Sequence, residues 1–189
     1  MVDFERDIKA CVQTLQSGGT ILYPTDTVWG LGCDATNESA VDRIFDIKHR
    51  PKAKSLIILL ADPRDIFQYV AAPPPDILDI IEDITVPTTI IYPGAIHLAD
   101  NAVNEDGSIA IRVTTDPFCK ALIKRLQRPI VSTSANISGV PTPRIYGEID
   151  HVVKDAVDYI VQYRQDDTEL RQPSRIARFS DRGSLEYIR

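Results

Sequence analysis

Cysteine is scarce in this chain of 189 residues, and the three present, Cys11, Cys33 and Cys119, stand far apart. They form no CxxC pair and have no histidine at zinc-ligand spacing. That argues against a zinc ribbon or a dithiol redox motif and leaves reduced core or wall thiols. Histidine is equally sparse: His49, His97 and His151 lie in no HExxH or triad-like setting. A Gly-x-Ser-x-Gly elbow is missing, and no carboxylate pair stands out for acid–base work. No metal site is expected. Long apolar runs are also absent, none approaching the roughly 20 residues that cross a bilayer. The charged start, Met1 to Asp7, has no apolar signal-peptide core. A cytoplasmic protein without membrane contact is the expectation. Basic residues are not in excess either. At a net charge of −6 the chain repels a phosphate backbone at long range, so nucleic acid would need a local basic patch.

What is present reads as a layered fold. Apolar residues make up 43% of the chain and charged residues 25%, the balance of a globular protein long enough to bury its own core. In the stretch 4–16, Phe4, Ile8, Cys11, Val12 and Leu15 share a helical face that stops at Gly18-Gly19. A strand follows at 20–23. Thr36 or Asn37 can cap a helix through Val41, Ile44 and Phe45 that runs until Pro51. Residues 55–60 read as a buried strand, and 88–92, 108–113, 129–133, 158–161, 174–179 and 184–188 as further strands. Helices are expected after Asp62-Pro63, over 75–83, from Asp116-Pro117 to about Gln127, and around 145–154. Pro73-Pro74-Pro75 reads as a stiff surface connection within one domain spanning 1–189. Alternating strands and helices with short returns such as Asp181-Arg182-Gly183 predict an α/β class (α+β in strict terms), a twisted mixed β-sheet flanked by helices.

Several segments carry chemistry. Pro24-Thr25-Asp26-Thr27-Val28-Trp29-Gly30-Leu31-Gly32 leaves a buried strand, where open α/β sheets place ligands. It fits no Walker loop or Rossmann fingerprint, and is either a ligand loop or a polar turn. Lys48, Arg50, Lys52 and Lys54 alternate, so an extended chain would aim all four to one side. Wedged between a helix and a buried strand, they form either a polyphosphate site or a solvated charge run. Ser132-Thr133-Ser134-Ala135-Asn136-Ile137-Ser138-Gly139 lies at another strand exit and could surround phosphates or an amino-acid head group, or merely cap a helix. Arg112 sits inside the apolar strand Ile109-Ala110-Ile111-Arg112-Val113 and needs a carboxylate, from the protein or from a ligand. With no nucleophile in view, the reaction expected is one of positioning and charge neutralisation, as in phosphoryl or nucleotidyl transfer.

Tyr23 to Ala35, the Lys48-x-Arg50-Pro51 motif, Tyr92-Pro93-Gly94, the strand holding Arg112 and the Ser132 to Gly139 segment together resemble the YrdC-like family, the L-threonylcarbamoyladenylate synthases. The resemblance covers essentially the whole chain, in the short single-domain form. It implies a YrdC-like fold around a deep cationic cavity. It also implies a nucleotidyltransferase reaction in which L-threonine, bicarbonate or CO2, and ATP with Mg2+ give threonylcarbamoyl-AMP and pyrophosphate. The product would feed tRNA-modification machinery that makes threonylcarbamoyladenosine. By position, Lys48, Arg50 and Lys54 would act at the ATP phosphates. Thr25, Thr27, Arg112, Ser132 and Ser174 would meet threonine, and Ser108, Ser134, Asn136, Thr142 and Arg189 would join Arg50 and Lys54 around the nucleotide. Departures from the family pattern include Ser55 in place of a proline, Leu59 in place of a histidine near threonine, Ala95-Ile96-His97 after Tyr92-Pro93-Gly94, and Arg175 in place of a threonine. Two alternatives stand beside the synthase: a module gripping double-stranded RNA or tRNA through the same cationic face, and a carbamoyl-adenylating domain with another acceptor.

Overall fold

The computed structural model describes residues 4–50, 55–180 and 183–189. Its helices are α1 (Glu5–Gln16), α2 (Glu38–Ile47), α3 (Ile66–Tyr69), α4 (Ile77–Glu82), α5 (Pro117–Leu126) and α6 (His151–Ala156). The strands are β1 (Ile21–Tyr23), β2 (Gly30–Gly32), β3 (Ile57–Leu60), β4 (Thr88–Tyr92), β5 (Ile109–Val113), β6 (Ile130–Val131), β7 (Thr133–Ser134), β8 (Tyr159–Ile160), β9 (Arg175–Phe179) and β10 (Leu185–Tyr187).

α1 buries Ile8, Cys11 and Leu15, and Gly18 at φ +76° turns the chain into β1. Asn37 caps α2 by accepting from the Ala40 amide, and Asp116 caps α5 by accepting from the Cys119 amide. Pro117 fills the first turn of α5, where no amide is needed. The helix expected around 145–154 is instead a 3-10 turn at Tyr146–Glu148 followed by α6, because Asp150 caps a new helix by accepting from the Val152 amide. All three cysteines are buried and free.

The strands form two mixed sheets rather than the single one expected. One runs β7-β2-β1-β8 and the other β10-β9-β4-β5-β3-β6. The break lies inside the predicted strand 129–133. β6 pairs antiparallel with β3, β7 pairs antiparallel with β2, and Ser132 alone bridges them. The Ser132 amide donates to the Ile57 carbonyl at 2.7 Å, so the chain crosses between sheets without stranding its own donor. β2 is a strand the sequence hides, because its two glycines present no side chains to alternate. They are needed for close approach: a Cβ on Gly32 would lie 2.6 Å from both the Tyr23 ring and the Val131 carbonyl oxygen.

One apolar core contains residues of both sheets, including Leu22 and Leu31 on one side and Ile58, Leu59, Ile90 and Ile111 on the other. Strand alternation gives β4 and β5 two different outlooks. Ile91, Ala110 and Arg112 face one cavity, while Ile90, Tyr92, Ile111 and Val113 face another.

Candidate functional site

The first of these cavities, about 520 Å³, lies where the two sheets meet. Its wall takes Thr27 and Trp29 from the β1–β2 turn, Gly30 from the start of β2, Ser132 to Ser134 from the crossover, Ala110 and Arg112 from β5, and Ser174 and Arg189 from the C-terminal part. Arg50, Arg112 and Arg189 line it, and no aspartate or glutamate does so among the described residues. Three guanidiniums around small hydroxyls make an anion-accepting chamber.

Each guanidinium is held differently. Arg50 donates to the Ser55 carbonyl at 2.6 Å and to the Thr133 hydroxyl at 3.3 Å, while its buried Nε has no acceptor among the described residues. Burial holds the Arg50 guanidinium below its ordinary value. Arg189 donates to the Ser174 carbonyl at 3.1 Å. Arg112 is 4% exposed at its side chain and approaches Asp26 Oδ1 to 3.2 Å, but the pair is misaligned. Among the described residues its Nε and Nη2 therefore lack hydrogen-bond acceptors, and Asp26 Oδ1 lacks a hydrogen-bond donor. Of the two carboxylate sources open from sequence, the protein supplies the charge but not the hydrogen bonds. Asp26 carries no role in the sequence reading; its only signal is an acid between two threonines.

Lys48 departs from its expected place. The predicted alternation requires extended backbone from 48 onward, but Lys48 ends α2 in the helical region and His49 takes φ +48°. The lysine turns inward and is 2% exposed. Its Nζ donates to the carbonyls of Ser134 at 2.5 Å and Asn136 at 2.7 Å, and it does not line the cavity. Burial first, and the Arg50 charge second, push its ammonium down to about 7. Lys48 thus pins the loop that forms the wall. Lys52 and Lys54 lie outside the described residues.

The hydroxyl set divides similarly. Thr27, Ser132, Ser134, Thr142 and Ser174 line the cavity. Thr25 does not: its hydroxyl donates to the Val28 carbonyl at 2.8 Å and accepts from the Thr27 amide at 2.9 Å, and lies 3.0 Å from the Thr27 hydroxyl. It orients Thr27. Asn136 also lies behind the wall, donating to the carbonyls of Val140 at 2.7 Å and Ile137 at 3.2 Å. Ser174 pairs with the Thr89 hydroxyl at 2.8 Å. Ser108 lies in a neighbouring open depression of about 830 Å³ that shares Ser55, Ile91 and Ile188 with the first cavity. Leu59 stands beside Arg112 in register, fully buried, and does not line the cavity. Trp29, Ser55 and Pro173 join the wall without having been singled out for it by sequence.

An α/β fold of two mixed sheets thus carries a guanidinium- and hydroxyl-lined chamber at their junction, a lining whose chemistry suits an anion. The comparisons narrow it. The chain matches the Sua5/YciO/YrdC family, described as telomere recombination, over residues 13–189. It is 34% identical over 173 residues to the threonylcarbamoyl-AMP synthase of Xanthomonas euvesicatoria pv. vesicatoria, covering 90% of this chain and 91% of that protein. Among solved structures it resembles E. coli YciO, with a TM-score of 0.81, 24% identity and coverage of 98% of this chain and 89% of the other. It also resembles P. abyssi Sua5 complexed with L-threonine, with a TM-score of 0.85, 24% identity and all of this chain covered; the chain spans 55% of that longer protein. The chain belongs to the Sua5/YciO/YrdC family.

Proposed function

We propose that the chain is a threonylcarbamoyl-AMP synthase, an enzyme that joins L-threonine, bicarbonate or CO2, and ATP into threonylcarbamoyl-AMP with release of pyrophosphate. The observation that carries this reading is Arg112. Among the described residues, two buried donors of its guanidinium lack acceptors at the wall of a chamber lined by hydroxyls and by no aspartate or glutamate. A buried charged group left short of hydrogen bonds is costly, and an amino-acid carboxylate would supply what Asp26 does not. The named activity of the Xanthomonas relative and the threonine held by Sua5 support the same assignment.

In this reading Arg112 takes the threonine carboxylate, with the Thr27 and Ser132 hydroxyls beside it. Arg50 and Lys54 take phosphate oxygens of ATP, which enters as its magnesium complex. Ser134, Thr142 and Arg189 lie along the nucleotide, with Ser108 further out. Threonine's amine forms a carbamate with CO2, a carbamate oxygen attacks the α-phosphorus, and pyrophosphate leaves. No protein nucleophile is needed; the chain orients two reactants and spreads phosphate charge. Lys48, Thr25 and Asn136 act through the wall they hold. The adenylate would pass to tRNA-modification machinery.

Incubation with ATP, magnesium, bicarbonate and threonine should release pyrophosphate only when threonine and bicarbonate are both present. Release that ignores either one, or none from folded protein, would refute the assignment. Pyrophosphate released with serine but not threonine would instead identify another acceptor. The RNA-binding reading is weaker, because these guanidiniums line a chamber within a molecule of net charge −6. Salt-dependent RNA binding at low ionic strength would be its sign.

A further inference from the structure

β1 and β8 run parallel, with Leu22 opposite Ile160, so the loop leaving β1 and the turn leaving β8 emerge side by side at one end of the smaller sheet. That loop carries Thr27 into the first cavity. Past the end of the ladder, its carbonyls accept from side chains. Pro24 accepts from Cys119 Sγ at 3.3 Å, Thr25 from Arg164 Nη2 at 3.4 Å, and Val28 from the Thr25 hydroxyl at 2.8 Å. The same Nη2 donates to Asp116 Oδ2 at 2.6 Å, while Asp116 Oδ1 accepts from the Cys119 amide at 3.0 Å as the cap of α5. The side chains of Arg164 and Asp116 are 17% and 5% exposed, so solvent ions screen this pair little. One guanidinium thus ties the first turn of α5 to the backbone of the Thr25–Thr27 segment.

Arg164 also takes φ +65°, a left-handed backbone that glycine adopts freely and arginine adopts at a cost. A turn that needed only this backbone would be better served by glycine, so what the arginine contributes is its side chain. We infer that Arg164, braced by Asp116, is a positioning residue for the threonine end of the chamber. It does not line the cavity. It acts through Thr25, whose carbonyl it holds and whose hydroxyl orients Thr27. Between those threonines Asp26 stands 3.2 Å from the Arg112 guanidinium, so the same brace sets how that guanidinium is presented. A small slip of the segment would displace a hydroxyl and a cation together. Arg50 hangs on Ser55 and Thr133 instead, outside the braced segment. The role rests on the reading of the first cavity as a threonine site.

The test measures threonine and ATP separately, by equilibrium binding to the full chain and by the KM for each in pyrophosphate release. Arg164→Gly keeps the left-handed turn and deletes only the brace. Threonine affinity should fall about three- to tenfold, with ATP affinity unchanged. Arg164→Lys retains a charge and a donor but loses the planar fork, and its threonine affinity should lie between. Asp116→Asn still caps α5, so its loss of threonine affinity reads the ion pair alone. Adding Asp116→Asn to Arg164→Gly should weaken threonine no further, because Asp116 works through Arg164. If Arg164→Gly does not fold, Arg164→Lys and Asp116→Asn carry the same test. Unchanged threonine affinity in these variants overturns the positioning role alone. So does a parallel loss for threonine and ATP, the mark of a merely loosened fold. Wild-type protein that binds ATP but no threonine would sink the proposed function and this role with it.

Discussion

Arg50 and Lys48 are two positions apart and do unlike things, and their variants should differ accordingly. Arg50→Ala removes a charge-assisted contact from the chamber, so ATP affinity should fall by roughly 1.5–3 kcal/mol, about 10- to 150-fold. Equilibrium nucleotide binding checks this, and unchanged affinity would place the nucleotide elsewhere. Lys48→Met removes both donors to the Ser134 and Asn136 carbonyls, and should destabilise the fold by about 1–3 kcal/mol. It should also change how stability depends on pH. The folded-state value near 7 lies below the ordinary 10.5, so between them the unfolded chain binds more protons than the folded one. Lys48 therefore makes wild-type stability rise with pH across that window, with its cost fully present below 7. Denaturant titrations at several pH values should show this slope in the wild type and its loss in Lys48→Met. The opposite roles of neighbouring cations were not legible in the sequence, because nothing in the residue His49 announces a left-handed backbone. Arg112 was legible as a buried cation in need of an anion, since its apolar neighbours fixed its place in a strand.

Among the elements, those with strong local chemistry were readable. α1 follows from its apolar period, α2 from Asn37, and α5 from the Asp116-Pro117 start. β2 was hidden because a strand of Gly30, Leu31 and Gly32 offers one side chain where alternation needs several. Its glycines serve contact rather than turning. Gly32→Ala should therefore be costly even though the residue is extended. The new methyl would press on a backbone carbonyl and a fully buried tyrosine, neither free to yield, for an overpacking penalty of about 1–3 kcal/mol. Chemical denaturation of the variant measures this. A neutral outcome would mean that β1 and β2 can separate without loss.

At the scale of the whole molecule, the number of sheets escaped prediction because the break rests on one residue. Ser132 sits in a run, Ile130 to Ser134, that reads as continuous strand. Only the pairing partners, β3 on one side and β2 on the other, divide it. The division does not make two independent bodies. Both sheets contribute to one core, and the Val131 amide donates to the Cys33 carbonyl at 2.9 Å across the junction. Thermal unfolding should accordingly be one transition, with calorimetric and van't Hoff enthalpies in agreement. Two resolved transitions would show that the sheets melt separately and that the chamber between them can open before the chain unfolds.

The chamber wall also contains the chain's single tryptophan. Trp29 is 5% exposed, and its ring lies 4.9 Å from that of Tyr146, over which Lys154 Nζ stands at 4.3 Å. Light absorbed at the red edge of the protein spectrum thus excites one indole, already positioned where substrates would arrive. The unmodified protein carries its own optical gauge of chamber filling: a purine or an amino acid entering beside Trp29 should shift or quench its emission, with no label attached and no residue replaced.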